Sequence, residues 1–208
     1  MGGASSQLFW KSQNPEAALR AALAEFNAQI QELPSQTWDP NTATIGGIRD
    51  YKLSFLDPNE AAWSSLLLHL DSQLADPLAA SLSRTMGTPS IAFYEFEQVA
   101  WGFSVYEQGE SIARFWNRPG QVEEEPSKCA VDPNLIAAKF YVRVEDIAPY
   151  LNHVDPDDED LDKAFPTDKL TLGDHWVRCD FMRRLGLRYP SPGDPGTRRI
   201  LIRGPGVN

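Results

Sequence analysis

Residues 90–116 constrain this chain more than any other stretch. Ser90 to Glu97, Val99 to Tyr106 and Glu110 to Trp116 are rich in aromatic and β-branched residues. In the middle run Val99, Trp101, Phe103 and Val105 alternate with Ala100, Gly102, Ser104 and Tyr106, a period of two with the bulk on one face. Gln108-Gly109 separates the second run from the third and suits a tight turn. The pattern predicts a three-stranded antiparallel meander.

Two more strands precede it. Tyr51 to Phe55 and Trp63 to Leu70 flank an Asp57-Pro58-Asn59 turn and read as a hairpin. Helices surround these strands. Asn14-Pro15-Glu16 is a helix start, with Asn as the cap and Pro at the first position. Leu19, Leu23, Phe26, Ile30 and Leu33 then form one apolar stripe that ends at Pro34. Asp71 to Met86 carries Leu74, Leu78, Leu82 and Met86 on one face, with Gly87 placed just beyond the C-cap. Asp76-Pro77 offers a later start for the same helix.

Beyond Asn117-Arg118-Pro119-Gly120 the signals are shorter. Asp132-Pro133 opens a helix through Phe140, and Val144 to Leu151 reads as another. Thr171-Leu172-Gly173-Asp174 resembles a capping box for a helix ending at Gly186. Ile200-Leu201-Ile202 suits a short terminal strand. Strands come in consecutive groups and do not alternate singly with helices. The expected fold is therefore α+β: an antiparallel sheet of about five strands, with helices packed mainly on one face. We read residues 1–208 as a single domain with a flexible start over 1–13, an acidic loop region over 121–168 and a basic C-terminal segment over 169–208.

Part of this order resembles a known group. A strand opening at Trp63 is followed by a helix ending Leu82-Ser83-Arg84-Thr85-Met86-Gly87-Thr88-Pro89. An aromatic hairpin then closes on Phe115-Trp116-Asn117-Arg118-Pro119. This is similar to uncharacterised bacterial α+β proteins, in which a helix ending Leu-Ser-Arg through Leu-Gly-Thr-Pro leads into a meander closing near an Asn-x-x-Pro turn. The resemblance covers residues 63–119 and implies a fold, with no activity and no site residues.

Charge narrows the function classes. The chain holds 29 acidic and 19 basic residues, a net charge of −10. That argues against a nucleic-acid partner over most of the surface and against docking on an anionic membrane. The charge is also uneven. Residues 121–168 carry 13 acids and four bases, whereas 169–208 carry three acids and eight bases. Glu123-Glu124-Glu125 and the run from Asp155 through Asp157, Asp158, Glu159 and Asp160 are the two dense clusters. They read as solvated loops or as one acidic surface for a basic protein partner. Arg183, Arg184, Arg188, Arg198, Arg199 and Arg203 either pair with the acidic block or form a second face.

Recognisable chemistry is sparse. The second acidic run has Asp155, Asp157 and Glu159 at alternate positions of a calcium loop, but Asp160 replaces the turn glycine and Pro166 the closing glutamate. Phosphate-loop, dinucleotide-binding, nucleophile-elbow and zincin motifs are absent from the sequence. His175 and Cys179, four apart on an expected helix, share a face and could serve as metal ligands or as a thiol and its base. Glu95 and Glu97, two apart on a strand, could form a carboxylate pair. Trp101, Phe103, Phe115 and Trp116 read as core in preference to a stacking platform, because only Arg114 and Arg118 lie near them in sequence. Met1-Gly2 with Ser6 fits a loose myristoylation pattern without a second membrane signal. Cys129 and Cys179 do not make a disulfide framework, and the expected compartment is the cytoplasm.

The expectation is a non-enzymatic interaction protein that binds a protein partner through Glu123, Glu124, Glu125, Asp155, Asp157, Asp158, Glu159 and Asp160, without cofactor or metal. Two alternatives stand beside it. One is a hydrolase using Glu95/Glu97 or His175/Cys179. The other is an assembly subunit in which the 19–33 helix or the terminal strand adds to a neighbour.

Overall fold

A computed structural model describes residues 5–32, 51–56, 63–69, 74–155, 158, 161–189 and 198–203. Eight strands form one antiparallel sheet: β1 (Ser5–Trp10), β2 (Gln29–Glu32), β3 (Tyr51–Leu56), β4 (Ser64–His69), β5 (Ser90–Phe96), β6 (Ala100–Glu107), β7 (Glu110–Trp116) and β8 (Arg198–Arg203). Four helices accompany them: α1 (Pro15–Ala24), α2 (Ala75–Met86), α3 (Pro133–Phe140) and α4 (Val177–Arg184). The strand order is β2-β8-β3-β4-β1-β5-β6-β7. The α+β class, the β3–β4 hairpin and the β5–β6–β7 meander are as the residue pattern predicts.

The sheet is wider than expected, chiefly because of its two ends of chain. The start expected to be flexible contains β1, which lies between β4 and β5 at the centre of the sheet. Its apolar residues split between both faces, so six residues give no clean alternation to read. β8 pairs with β2 on one side and β3 on the other, which uses both of its edges within the chain. The assembly reading of the terminal strand loses its free edge.

Two apolar layers cover the two faces, which corrects the expectation of helices mainly on one. On the first face α1 and α2 pack over Leu8, Trp10, Leu66, Leu68, Ala92 and Tyr94. On the second, α3, α4 and the turns around Tyr150 pack over Phe9, Ile91, Phe93, Trp101, Phe103 and Phe115. Alternation along β6 thus sorts residues between two buried layers. Ala100, Gly102, Ser104 and Tyr106 are small or able to bond, which disguised the first layer as a solvent face. Trp101, Phe103 and Phe115 are core, as expected.

Local chemistry explains the element ends. Asn14 accepts a hydrogen bond from Ala17 N at 3.2 Å and caps α1. The apolar stripe continues past the helix, but Asn27 turns left-handed (φ 53°) and Ile30 belongs to β2. Leu33 lies outside the described residues. α2 begins at Ala75, between the two expected starts at Asp71 and Asp76-Pro77, and stops at Gly87 (φ 61°). Asp76 in its first turn accepts from both Tyr94 and Tyr106, and burial followed by this carboxylate pushes both phenols above their ordinary range. Val144 to Leu151 forms two short 3₁₀ turns, because Pro149 lacks the N–H that would continue a helix. Asp174 sits in a turn before α4, accepting from Trp176 N, so that helix begins at Val177.

Tyr141 ends α3 at φ 58° with its side chain 88% exposed. A left-handed backbone costs an ordinary residue roughly 1–2 kcal/mol, and glycine almost nothing. Tyr141→Gly is expected to stabilise the protein by about 0.5–1 kcal/mol after the extra freedom of the unfolded chain is subtracted. Chemical denaturation checks this, and a loss of stability would contradict it.

Asp168 anchors the last loop before α4. Its carboxylate accepts from Tyr150 Oη, Phe165 N and an Arg184 guanidinium nitrogen. Burial alone would raise its pKa, but the bonds from Tyr150, Arg184 and Phe165 outweigh that and hold it below the ordinary carboxylate value. A depressed folded pKa adds stability above the unfolded value near 4, and this is lost as pH falls through the folded value. Asp168→Asn should therefore cost about 1–3 kcal/mol at neutral pH. The gap to wild type should narrow below about pH 4. Unfolding midpoints measured across pH test both parts.

Candidate functional site

The two acidic clusters, about 30 residues apart in sequence, lie on chain segments that are tied together at their flanks. The 3₁₀ turn Pro119–Val122 ends at Glu123, whose backbone is left-handed (φ 57°) and whose side chain is exposed. Glu124 pairs with Arg114 at 3.2 Å and Glu125 with Lys128 at 2.9 Å. The second segment is tied back to the first: Val154 N donates to Asn117 O at 2.8 Å, and His153 Nε2 lies 3.4 Å from Cys129 O. Asp155 and Asp158 follow, both exposed, with Asp158 N donating to Asp155 O. Asp157, Glu159 and Asp160 lie outside the described residues. Among the described residues no group of three His, Cys, Asp or Glu side chains is placed to hold a metal ion.

Part of the basic segment turns inward: Arg178 is buried and Arg184 half-buried, whereas Arg183 and Arg188 are exposed. Arg178 reaches Glu95 at 2.5 Å, Arg183 reaches Asp180 at 2.6 Å and Arg184 reaches Asp168 at 2.8 Å. Asp180 also accepts from Lys169 N and Leu170 N. Arg178 and Arg184 therefore staple α4 onto the sheet and onto the loop before it, while Arg183 pairs within the helix. The side chains of Arg198, Arg199 and Arg203 are outside the description.

The carboxylate pair drawn from sequence spacing is not assembled. β5 ends at Phe96, and Glu97 and Gln98 form a left-handed turn (φ 48° and 62°), so Glu95 and Glu97 do not share a strand face. His175 precedes α4 while Cys179 lies within it. Burial pushes the Cys179 thiol above its ordinary value, with Asp180 and Glu95 adding to the effect and Arg178 opposing it. A thiolate nucleophile is thereby disfavoured.

One member of each pair does meet the other. His175 Nε2 lies 3.7 Å from Glu95 Oε1, and Asp174 lies 3.8 Å from Nδ1 on the far side of the ring. Ser5 Oγ donates to Glu95 Oε2 at 3.1 Å. Arg178 also donates to His175 O and stacks over the Trp176 ring at 4.2 Å. Ser5, Glu95 and His175 are about 80 to 170 residues apart along the chain.

Among the described residues no helix is long and apolar enough to cross a membrane. No protein-family model, no curated protein and no solved structure matches this chain.

Proposed function

We propose that this chain is an interaction protein that engages a basic protein partner through an acidic strip, with Glu123, Glu125, Asp155 and Asp158 at its described centre. The observation carrying this reading is the pair of contacts, Val154 to Asn117 and His153 to Cys129, that tie the segment leading into Asp155 to the two flanks of the loop carrying residues 123–125. Such a strip steers a positively charged partner and fixes its register, and it repels nucleic acid. Arg114 and Lys128 each neutralise one glutamate and hold the loop's shape. The inward pairing of Arg178 and Arg184 supports it further, because those bases do not quench the strip. Free Cys129 and Cys179 fit a reducing compartment, and we place the protein in the cytoplasm.

The test is a variant carrying Glu123→Lys, Glu125→Lys, Asp155→Lys and Asp158→Lys. Both proteins are used as bait in extract from the native source, with circular dichroism as the check on folding. The expected result is at least a tenfold loss of a specific captured protein, together with weakening of the wild-type interaction as salt rises. Undiminished capture by the folded variant would overturn the reading.

A further inference from the structure

Among the described residues three large apolar side chains are exposed: Val99, Tyr141 and Trp176. Scattered singly, such residues mean little. Two of them, however, are tied to the segments that carry the acidic strip. Arg118 donates to Val99 O at 3.3 Å and to Gly173 O at 3.4 Å. Gly173 belongs to the turn that presents Trp176, and it lies against the second acidic segment: a Cβ there would stand 3.9 Å from Asp158 O. Asp174, its side chain 37% exposed, accepts from Trp176 N at 2.7 Å. Val99 follows the exposed Glu97 and Gln98.

Trp176 is held in place. Arg178 lies over its ring at 4.2 Å, and the His175 and Tyr189 rings stand 5.5 and 5.7 Å away. Arg178 is fixed in turn by Glu95 and His175 O. The tryptophan nonetheless keeps 40% of its surface exposed. A large aromatic side chain that is already immobilised loses little entropy on binding, and tryptophan is among the residues that most often dominate an interface. The charge around it selects the partner. Asp158, Asp174 and Glu97 are acidic, and Glu95 balances Arg178 at 2.5 Å. An apolar surface set among carboxylates suits a segment that is both basic and apolar. We propose that Trp176, with Val99, is the apolar anchor for a Lys- or Arg-rich segment of a protein partner, whose apolar side chain packs on the indole while its cations meet Asp158 and Asp174. The inference rests on the acidic-strip reading for the sign of the partner's charge, and it adds the contact that fixes where the partner docks.

Two synthetic peptides of equal charge are the probes, one of Arg-Ser-Leu repeats and one of Arg-Ser-Gly repeats, titrated into the full chain by calorimetry. The leucine peptide should bind with Kd below about 1 mM, and at least about fivefold more tightly than the glycine peptide. Trp176→Ala should erase that preference and leave the salt-sensitive binding of the glycine peptide in place. Trp176→Phe, which keeps a ring over Arg178, gives a second readout should Trp176→Ala fail to fold. The leucine peptide should shift the tryptophan fluorescence of the wild type to the blue and leave that of Trp176→Phe unshifted. No leucine preference in the wild type, a preference that persists in folded Trp176→Ala, or a shift retained in Trp176→Phe would each overturn the anchor. Glycine-peptide binding that is lost in the four-lysine variant would then leave the strip itself standing, whereas failure of both peptides to bind would remove both.

Discussion

Gly102→Ala is expected to lower stability by about 3 kcal/mol, the upper end of what overpacking costs in a filled core. Gly102 sits mid-strand in β6, between Tyr94 on β5 and Trp116 on β7. A Cβ at that position would stand 2.4 Å from Phe115 O and 2.6 Å from the Trp116 indole. The first of these atoms is backbone and cannot rotate away. The second belongs to a ring stacked on Tyr94 across the glycine, with centroids 5.6 Å apart. Glycine in a strand is normally a weakness. Here it lets an aromatic pair close over the backbone, a known way of covering a glycine in a sheet. Relief would require β7 to shift, and the Phe115 and Trp101 rings of the second layer would shift with it. At about 2–4 °C per kcal/mol, the melting midpoint should fall by roughly 6–12 °C. Gly120→Ala is the control. An added Cβ there meets nothing within 4 Å, and its effect should stay within about 0.5 kcal/mol. A Gly102→Ala protein as stable as that control would refute the packing described.

The same strand shows why some of this architecture is legible in sequence and some is not. β6 is readable because its bulky residues alternate and a left-handed Gln108-Gly109 turn follows. Its contribution to the first layer is not readable, since glycine, serine and alanine look like a solvent face until a helix is found above them. β1 escapes notice for a related reason: a short strand buried on both sides loses its alternation. The α1 stripe misleads in the opposite sense. Steps of three and four residues continue into Ile30, and only the left-handed Asn27 separates helix from strand. Composition places the acidic clusters, but only the contacts of Val154 and His153 show that their flanking segments are tied together. Glu95 and His175 each stand out locally with the wrong companion. Their actual meeting depends on where α4 lands on the sheet, which no local periodicity encodes.

That landing point carries the other large effect. Arg178→Met should destabilise the protein by about 3–5 kcal/mol, because it leaves the Glu95 carboxylate largely buried without its cation. Arg178 is nearly inaccessible, bonds Glu95 at 2.5 Å and His175 O at 2.9 Å, and lies against Trp176. One side chain thus joins the end of β5 to the first turn of α4. Loss of apolar contact alone would be small, since methionine replaces most of the arginine stem. The charge is what matters, and a second substitution isolates it. Glu95→Gln alone removes one charge and leaves Arg178 its bonds to His175 O and the indole face, so its cost should be the smaller. Arg178→Met with Glu95→Gln removes both charges together. Replacing a buried ion pair by neutral groups is often near neutral, so the double variant should recover most of the loss. The coupling energy from the four denaturation curves should reach about 2 kcal/mol or more. Strict additivity would mean that Glu95 and Arg178 act separately, and that α4 is held by its apolar face of Val177, Phe181 and Leu185 alone.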